Sequence, residues 1–366
     1  MARLSLGRAA SATWFPVAIW AVWRLAHLLA VVAWGGDPVQ DTFRFDGAWM
    51  RSVLDDGYVL SDPSFTIQQN VAFLPGVVAL ARPFAAVMDT DLAGLVVANL
   101  TGLTSFWALF VAVRAVSDER VARRAVVTLA LWPGSLALWA FMSEGAFITA
   151  SALAVLADAR RRPLLAAIAA WAAGTTRVVG FTVGPALAVA RVFRTRRIDR
   201  VAVGYVASGA ASVATVVLVQ HLAVGDGLAF QRAQQAWGRS ISVPGAGVVV
   251  AGQQVVERLP HLSLELTMNL ASVGVVGAAL IVASIRLGFR GPAGAALVVA
   301  WAAFLIPLSS DLVASQVRYV MGAWAAVLVF SCVRLRSRLL PLVGVVVGVA
   351  ASLVLSHRWV MGSFVA

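Results

Sequence analysis

Long apolar segments recur along the chain and alternate with short polar segments that are rich in arginine. Many of the apolar segments approach about 20 residues, the length that a helix needs to cross a hydrocarbon core. Backbone groups in lipid must be paired within their own segment, so each apolar segment is predicted to be a helix. The predicted spans are 13–34, 91–116, 125–141, 144–157, 163–175, 177–191, 201–223, 265–285, 292–308, 317–333 and 339–356, which gives an all-helical bundle with about eleven crossings.

Two segments, 71–88 and 163–191, decide which polar loops share a side of the membrane. If 71–88 crossed fully and 163–191 crossed once, the arginines at 120–124 and 160–162 would lie outside, against the positive-inside rule. We therefore predict that 71–88 is re-entrant or lies along the surface, and that 163–191 is a short helical pair turning near Gly174 to Arg177. This arrangement places the N-terminus and 19 of the 29 arginines in the cytoplasm, and 13 of the 17 acidic residues outside.

The composition indicates a polytopic membrane protein, because 60% of the residues are hydrophobic and only 13% are charged. We expect a single integral membrane domain, 1–366, in a bacterial-type plasma membrane. A first extracytoplasmic loop is predicted at 35–90 and a second at 224–264. Residues 13–34 are interpreted as an uncleaved first helix, because Arg24 and His27 interrupt the apolar core that a signal peptide would have.

Charge and residue usage exclude several classes of function. The formal charge of +12 comes from arginines at predicted helix ends, which the positive-inside rule explains better than a nucleic-acid partner does. The chain has no lysine, so a phosphate-binding-loop lysine for ATP is absent. Cys332 is alone, which excludes an intrachain disulfide. The histidines have no metal-ligand spacing, so no metal or other cofactor is expected; they are His27, His221, His261 and His357.

The first candidate residue is Asp46, in the segment FRFDGAWMRSVLDDGY after the first span. The spacing of Phe45, Trp49, Val53 and Leu54 predicts a helix with an apolar stripe that lies in the plane of the membrane surface. Asp46 would lie in its first turn, where the helix dipole favours an ionised carboxylate that is able to act as a general base. An ordinary helix cap is the alternative.

Tyr58 ends this segment, and a second motif, NVAFLPG, follows it after a short gap. Pro75 and Gly76 interrupt an apolar segment that would otherwise continue as a helix. Broken backbone at membrane depth is tolerated where it lines a cavity, so Asn70 and Phe73 are candidate residues of a site. A simple helix kink is the alternative.

Ionisable side chains also stand at the predicted outer ends of later spans. Glu144 in FMSEGAF, Arg177 in AGTTRVVG and Arg318 in SQVRYVMG are tolerated in hydrocarbon only when they are paired or hydrated. Structural salt bridges between helices would explain them. A fixed guanidinium group at Arg177 or Arg318 would equally suit a phosphate, with Tyr319 beside it. Arg24, in the middle of a span, is predicted to be paired or to snorkel.

The second extracytoplasmic loop contains the segment FQRAQQAWGRSISVP. Gln234, Trp237 and Arg239 supply groups that a sugar site uses, since amides bind hydroxyl groups and an aromatic face covers a sugar ring. An interfacial helix that is anchored in the membrane by Trp237 is the alternative interpretation.

In this order the motifs resemble the PIG-V type of GT-C glycosyltransferases, mannosyltransferases of glycolipid and glycosylphosphatidylinositol assembly. Members typically show W-D-x-x-x-[FYW] ending in G-Y, then N-x-A-F-F-P-G-x-P, S-E-x-x-F, a T-R turn, A-Q-x-x-W-x-R and an R-Y helix start. This chain has FDGAWMRSVLDDGY, NVAFLPGVV, SEGAF, TTRVVG, AQQAWGR and VRYVMG. It departs from the pattern at Phe45, Leu74 and Val78, which leaves Asp46 and Asn70 in place.

The resemblance implies a GT-C fold and inverting transfer of mannose from a polyprenyl-phosphate donor to a glycolipid or glycan acceptor on the extracytoplasmic face. It implies Asp46 as general base, and Arg177 and Arg318 as ligands of the donor phosphate. The residues that it implies for sugar and acceptor are Trp49, Tyr58, Asn70, Phe73, Glu144, Gln234, Trp237, Arg239 and Tyr319. One competing interpretation is a lipid or sugar-lipid transporter, although the internal repeats typical of transporters are not evident. Another is an assembly partner of a different membrane enzyme.

Overall fold

The protein is an all-helical bundle in the computed structural model, which describes residues 14–240, 242–258, 263–310, 313–333 and 339–363. Its α-helices are α1 (Trp14–Ala33), α2 (Asp46–Asp56), α3 (Gly76–Ala85), α4 (Thr90–Val116), α5 (Glu119–Leu131), α6 (Glu144–Ala159), α7 (Pro163–Thr176), α8 (Val183–Thr195), α9 (Arg200–Val224), α10 (Ala229–Arg232), α11 (Ala246–Arg258), α12 (Leu264–Leu287), α13 (Gly294–Leu305), α14 (Gln316–Tyr319) and α15 (Leu339–Val360). Segments of 3₁₀-helix lie between them at Gln40–Phe43, Asn70–Ala72, Pro133–Leu138, Val178–Thr182, Ala233–Trp237 and Val320–Ser331.

Six helical segments in the described part of the chain are long and apolar enough to cross a membrane. They are Trp14–Ala33, Thr90–Val116, Val178–Thr195, Arg200–Val224, Leu264–Leu287 and Leu342–Val360. Shorter apolar helices, among them α3 and α13, pack between them. The chain is therefore an integral membrane protein, while the count of eleven crossings stays a prediction.

The helical pair predicted at 163–191 is confirmed. Helix α7 ends at Thr176, a 3₁₀ segment turns the chain, and α8 runs back to Thr195. At the end of the return helix, Arg194 donates to both carboxylate oxygens of Asp158 at 2.8 and 3.0 Å. Asp158 lies at the end of α6, five residues before α7 begins. The end of α8 is therefore close to the start of α7.

One predicted span, 125–141, is wrong in its bounds. Helix α5 begins earlier, at Glu119, because the Asp118 side chain caps it by accepting a hydrogen bond from the Val121 N–H at 2.9 Å. It ends at Leu131, and Pro133, which has no N–H to donate, begins a 3₁₀ segment in its place. The arginines at 120–124 therefore belong to the helix rather than to the loop before it.

Two short helices of the first predicted extracytoplasmic loop pack on α4. Met50 and Leu54 of α2 share a buried apolar cluster with Val77 of α3 and Val97 of α4. Helix α3 has ten residues and is about 15 Å long, roughly half of a hydrocarbon core, so it cannot cross by itself. This length favours the re-entrant or surface placement of 71–88, which stays a prediction.

The break at Pro75 and Gly76 brings the NVAFLPG motif against the turn of the helical pair. A Cβ added at Gly76 would lie 2.7 Å from the carbonyl carbon of Thr175, so a larger residue would push the two segments apart. This contact holds the first loop against Thr175, two residues before Arg177.

Hydrogen bonds and ion pairs indicate which loops lie together at each end of the bundle. Near the end of α9, Gln220 donates to the carbonyl oxygen of Val71 at 3.0 Å, and Gln234 donates to that of Ala72 at 3.3 Å. The two predicted extracytoplasmic loops therefore meet. At the other end of the bundle, Asp199, which precedes α9, forms an ion pair with Arg191 of α8. The pair of Asp158 with Arg194, also on α8, lies close by.

This arrangement predicts that Gln68 faces the outside of the cell and Arg160 the cytoplasm, because the positive-inside rule orients the arginine-rich end inward. In a Cys332→Ser background, Gln68→Cys should react with a membrane-impermeant maleimide in intact cells, since position 68 is exposed. Arg160→Cys, exposed just after α6, should react only after the membrane has been opened. The reverse labelling pattern contradicts the orientation.

Candidate active site

Asp46 is the first residue of α2 and does not act as its cap. Phe45 precedes the helix with φ 53° and ψ −121°, and no side-chain hydrogen bond caps the helix. A positive φ is rare for a bulky residue, and strain of this kind concentrates at functional sites. The Asp46 carboxylate turns instead to Arg318, whose Nη1 lies 2.7 Å from Oδ2. The interpretation of Asp46 as an ordinary helix cap is therefore wrong.

Glu144, Arg177 and Arg318 each stand where regular helix begins or ends. Glu144 begins α6, Arg177 follows α7 in extended conformation, and Arg318 lies in the four-residue helix α14. Helix α14 follows Ser315, whose φ of 60° is left-handed. The three side chains are largely buried, with exposed fractions of 4%, 15% and 5%.

These residues form one chain of ion pairs, Asp46–Arg318–Glu144–Arg177, which we call the charged cluster. Arg318 Nε lies 3.3 Å from Glu144 Oε1, while Nη1 of the same guanidinium group bonds Asp46. Arg177 Nη1 lies 2.5 Å from the same Glu144 oxygen. Because these charges are largely removed from water, each depends on its partners. The structure thus brings together four of the predicted residues from four separate segments.

Arg239 of the second loop joins the charged cluster at Tyr319. The guanidinium carbons of Arg177, Arg239 and Arg318 lie 4.9, 5.2 and 5.3 Å from the centroid of the Tyr319 ring. Cation–π attraction favours this arrangement. Counted over these described residues, three guanidinium groups face two carboxylates, so the group has one net positive charge.

A small pocket opens beside the charged cluster. Its polar lining comes from Glu144, Arg177, Arg318 and Tyr319. The remaining lining is apolar and consists of Phe147, Ile148, Val179, Pro307 and Gly322. Few convergent polar groups in an apolar surround are typical of a ligand site.

Three half-buried aromatic rings, one from each of three segments, lie next to this group. Trp237 of the second loop lies edge-on to Trp49 of α2 and to Phe73 of the NVAFLPG motif, with ring centroids 6.1 and 5.8 Å apart. Trp49 is one helical turn after Asp46, and Arg239 is two residues after Trp237. The rings are therefore close along the chain to two charged residues of the site, Asp46 and Arg239.

Asn70 holds the first loop together from inside. Its Nδ2 donates to the Gly57 carbonyl oxygen at 3.0 Å and to Ser52 Oγ at 3.2 Å. Its Oδ1 accepts from the Val59 N–H at 2.9 Å. With its amide engaged in this way, Asn70 positions the loop, and its predicted contact with a substrate stays a prediction.

Tyr58 and Gln234 also have framework contacts. The Tyr58 hydroxyl donates to the carbonyl oxygen of Phe73 at 2.8 Å, and burial raises the pKa of this hydroxyl, which keeps it a donor. Gln234 ties the second loop to the first through Ala72. The first bond holds Phe73 in place, and the second holds the segment that leads to Trp237. Substrate contacts for Tyr58 and Gln234 stay predictions.

Two further residues of the site are not among the candidates predicted from the sequence. Met142 Sδ accepts from Arg318 Nη1 at 3.1 Å, two residues before Glu144. Asn269, fully buried in α12, accepts the Val317 N–H on its Oδ1 at 3.0 Å and so fixes the residue before Arg318. A lone amide inside the predicted span 265–285 is the signal that could have identified Asn269.

In the described part of the chain, no group of three or more His, Cys, Asp or Glu side chains could hold a metal ion. His27 is buried and its Nδ1 lies 2.9 Å from the carbonyl oxygen of Trp23, as in a structural histidine. His261 lies outside the described residues. The expectation of a cofactor-free site stays a prediction.

The fold has counterparts among solved structures. No profile of a known protein family matches the chain, and no functionally curated protein matches its sequence. The Archaeoglobus fulgidus oligosaccharyltransferase, tethered with an acceptor peptide containing the NVT sequon, matches with a TM-score of 0.53 and 14% identity over 96% of this chain and 56% of that one. The archaeal oligosaccharyltransferase AglB from A. fulgidus, in complex with an inhibitory peptide and a dolichol-phosphate, gives 0.51 and 14% over the same shares.

ArnT from Cupriavidus metallidurans, bound to undecaprenyl phosphate, matches with a TM-score of 0.55 and 17% identity over 90% of this chain and 63% of that one. The chain thus spans less than two thirds of the length of these neighbours. At such identities the likeness is one of fold, so the predicted GT-C fold of a membrane helical bundle is confirmed. Membership in the PIG-V type stays a prediction.

The charged cluster predicts strong energetic coupling between Glu144 and Arg177. Glu144→Gln and Arg177→Gln should each lower the apparent unfolding temperature of the purified protein. The first leaves Arg177 without its carboxylate, and the second leaves Glu144 with only its longer contact to Arg318. Removal of one partner of a buried pair costs about 3–5 kcal/mol in other proteins. The double variant should lose clearly less than the two single losses combined. The exposed pair Glu119–Arg123, 2.7 Å apart, is the matched control and should show coupling below about 1 kcal/mol. Additive losses at Glu144 and Arg177 contradict the prediction.

Proposed function

We propose that the protein is a GT-C glycosyltransferase that moves a sugar from a polyprenyl-phosphate donor to a glycolipid or glycan acceptor. The observation that supports it most directly is the meeting of Asp46, Glu144, Arg177 and Arg318 beside a pocket between helices. The reaction takes place on the extracytoplasmic side, where the arginine distribution puts these loops. The choice of mannose as the sugar rests on the PIG-V resemblance.

The arginines suit the phosphate of such a donor. Arg177, Arg239 and Arg318 around Tyr319 outnumber the two carboxylates by one. A sugar phosphodiester has one negative charge, which equals this excess, whereas a diphosphate has more. Guanidinium groups also match the geometry of phosphate oxygens. ArnT bound to undecaprenyl phosphate and AglB bound to a dolichol-phosphate support a lipid phosphate as ligand of this fold.

Asp46 is the general base of the proposed reaction. Its Oδ2 is engaged by Arg318 here, so a donor phosphate that takes over the guanidinium group frees the carboxylate. Asp46 then accepts the proton of an acceptor hydroxyl while the hydroxyl oxygen forms a bond to the anomeric carbon. The bond from this carbon to the phosphate oxygen breaks, polyprenyl phosphate leaves with the electron pair, and the configuration inverts.

Arg177 and Arg318 stabilise the charge that develops on the leaving phosphate. Glu144 holds both guanidinium groups in place through one carboxylate oxygen. Because the two arginines come from different segments of the chain, the phosphate is clamped by both when it binds.

The aromatic rings supply the sugar subsite. Trp49, Phe73 and Trp237 offer flat faces against which a pyranose ring stacks. Trp49 is one turn from Asp46, so a sugar stacked there lies close to the base.

A lipid or sugar-lipid transporter is the competing function, since broken helices with buried charges occur there too. A transporter needs no base beside its phosphate ligands. The carboxylate of Asp46 at 2.7 Å from Arg318 therefore favours transfer chemistry.

Replacement of the base gives the sharpest functional test. Asp46→Asn should lower transfer of labelled mannose from polyprenyl-phosphate mannose to a glycolipid acceptor by about 10²–10⁴-fold, because general-base catalysis contributes about that much. Asp56→Asn, an exposed carboxylate at the other end of the same helix, is the matched control and should retain activity.

Both variants should elute as monodisperse protein, which separates loss of chemistry from loss of folding. Near-normal transfer by Asp46→Asn contradicts the assignment of the base. Transfer from GDP-mannose in the absence of any lipid donor or its synthase contradicts the assignment of the donor.

A further inference from the structure

Arg24 lies in the middle of α1, away from the charged cluster. Its Nε donates to Asn99 Oδ1 of α4 at 2.7 Å, and its guanidinium carbon lies 5.3 Å from the centroid of the Trp139 ring. Asn99 uses its own Nδ2 to reach the carbonyl oxygen of Leu95 at 2.7 Å. The arginine is therefore held in a crevice between α1, α4 and the segment that carries Trp139, with a hydrogen bond from its Nε to a neutral amide.

The charge of Arg24 has no counter-charge in the described part of the chain. None of the ion pairs there includes Arg24, and Asn99 is neutral. Its Nη1 is buried and has no hydrogen-bond partner among the described residues. An unpaired guanidinium group inside a bilayer is costly, so it requires an anion or water.

Two buried indole groups next to Arg24 also lack acceptors. The Nε1 atoms of Trp20, one turn earlier on α1, and of Trp139, which is 1% exposed, have no hydrogen-bond partner in the described structure. A Cβ added at Gly102 of α4 would lie 3.3 Å from Trp20 Nε1 and would also meet the carbonyl oxygen of Leu138, so Trp20 and the residue before Trp139 pack against the same position of α4. Indole and guanidinium groups only donate, so the crevice selects a ligand that is rich in acceptors.

The surroundings of the crevice determine where that ligand comes from. Ala21 and Val17, about one and two turns before Arg24 on the same side of α1, are exposed apolar side chains of a membrane-crossing helix. Access is therefore from the lipid, and a soluble anion would have to cross hydrocarbon. Phosphate is the acceptor-rich anion that membrane lipids carry.

We propose that Arg24, Trp20 and Trp139 bind the phosphate group of an anionic phospholipid in the crevice between α1 and α4, at a site separate from the donor-phosphate site. The backbone of α4 at Thr101 and Gly102 stands between them, because Gly145, next to Glu144, packs on it. The proposal does not depend on the proposed glycosyl transfer.

The depth of Arg24 requires the phosphate to be drawn inward. Arg24 is nine residues before the end of α1 at Ala33, about 14 Å along the helix. Arginine side chains reach towards the membrane surface, and bilayers thin around short helices. Helix α13, with twelve residues, is short enough to produce such thinning.

The test is lipid binding by the full chain, measured by native mass spectrometry during titration with phosphatidylglycerol. Arg24→Gln should weaken the tightest phosphatidylglycerol site about tenfold or more, since charge-assisted hydrogen bonds are lost. Trp139→Phe keeps the ring beside Arg24 and removes only the donor, so it should weaken the site less and guards against misfolding of the first variant. Arg114→Gln is the matched control, because Arg114 of α4 also lies over a ring, 5.4 Å from the centroid of Phe110. It should bind like the unaltered chain.

Further arms of the titration separate the sources of the anion. Zwitterionic phosphatidylcholine should bind the site clearly more weakly than phosphatidylglycerol does. Unchanged phosphatidylglycerol binding by Arg24→Gln, equal binding of phosphatidylcholine, or displacement of the lipid by millimolar inorganic phosphate each overturns the proposal. In the first case Asn99 and water alone satisfy the arginine, and in the second the site does not select an anionic lipid.

Discussion

The ion pairs of Arg318 are the interaction on which the site depends. Its guanidinium group is almost fully buried and binds carboxylates from two segments, Asp46 near the start of the chain and Glu144 in its middle. A charge in this environment is stable only with its partners in place, so the pairs fix α2, α6 and α14 relative to one another. Met142 and Asn269 add neutral contacts around the same residue and its neighbour. The first loop, though far away in sequence, thereby becomes part of the bundle.

The backbone leaves regular helix wherever the cluster needs a side chain. Phe45 and Ser315 have positive φ values, and Arg177 is extended between two helices. Broken backbone of this kind is tolerated in a membrane protein where it lines a cavity, and here Arg177 and Arg318, the latter three residues after Ser315, line the pocket. The strained backbone before Asp46 and the tight contact of Gly76 both bring the first loop, which would otherwise lie on the surface, close to the buried charges.

Much of this could be predicted from the sequence, because apolar length and arginine position are local signals. The helical pair at 163–191 follows from them, and the helix that begins at Asp46 follows from the spacing of its apolar residues. The charges of Glu144, Arg177 and Arg318 stood out as costly in hydrocarbon. Which of these charges pair with each other could not be predicted, because a periodic pattern has no information on which of several buried charges will meet. The misplaced span at 125–141 has a local cause, since the cap at Asp118 and the break at Pro133 outweighed the apolar length of the segment.

The most direct test of the account is an experimental structure of the protein with a polyprenyl-phosphate sugar bound. The account predicts phosphate oxygens within hydrogen-bonding distance, about 2.7–3.2 Å, of guanidinium nitrogens of Arg318 and Arg177. It also predicts that Asp46 has exchanged Arg318 for the space beside the anomeric carbon, with the sugar against Trp49. A donor phosphate bound elsewhere, with the Asp46–Arg318 pair unchanged, would contradict it.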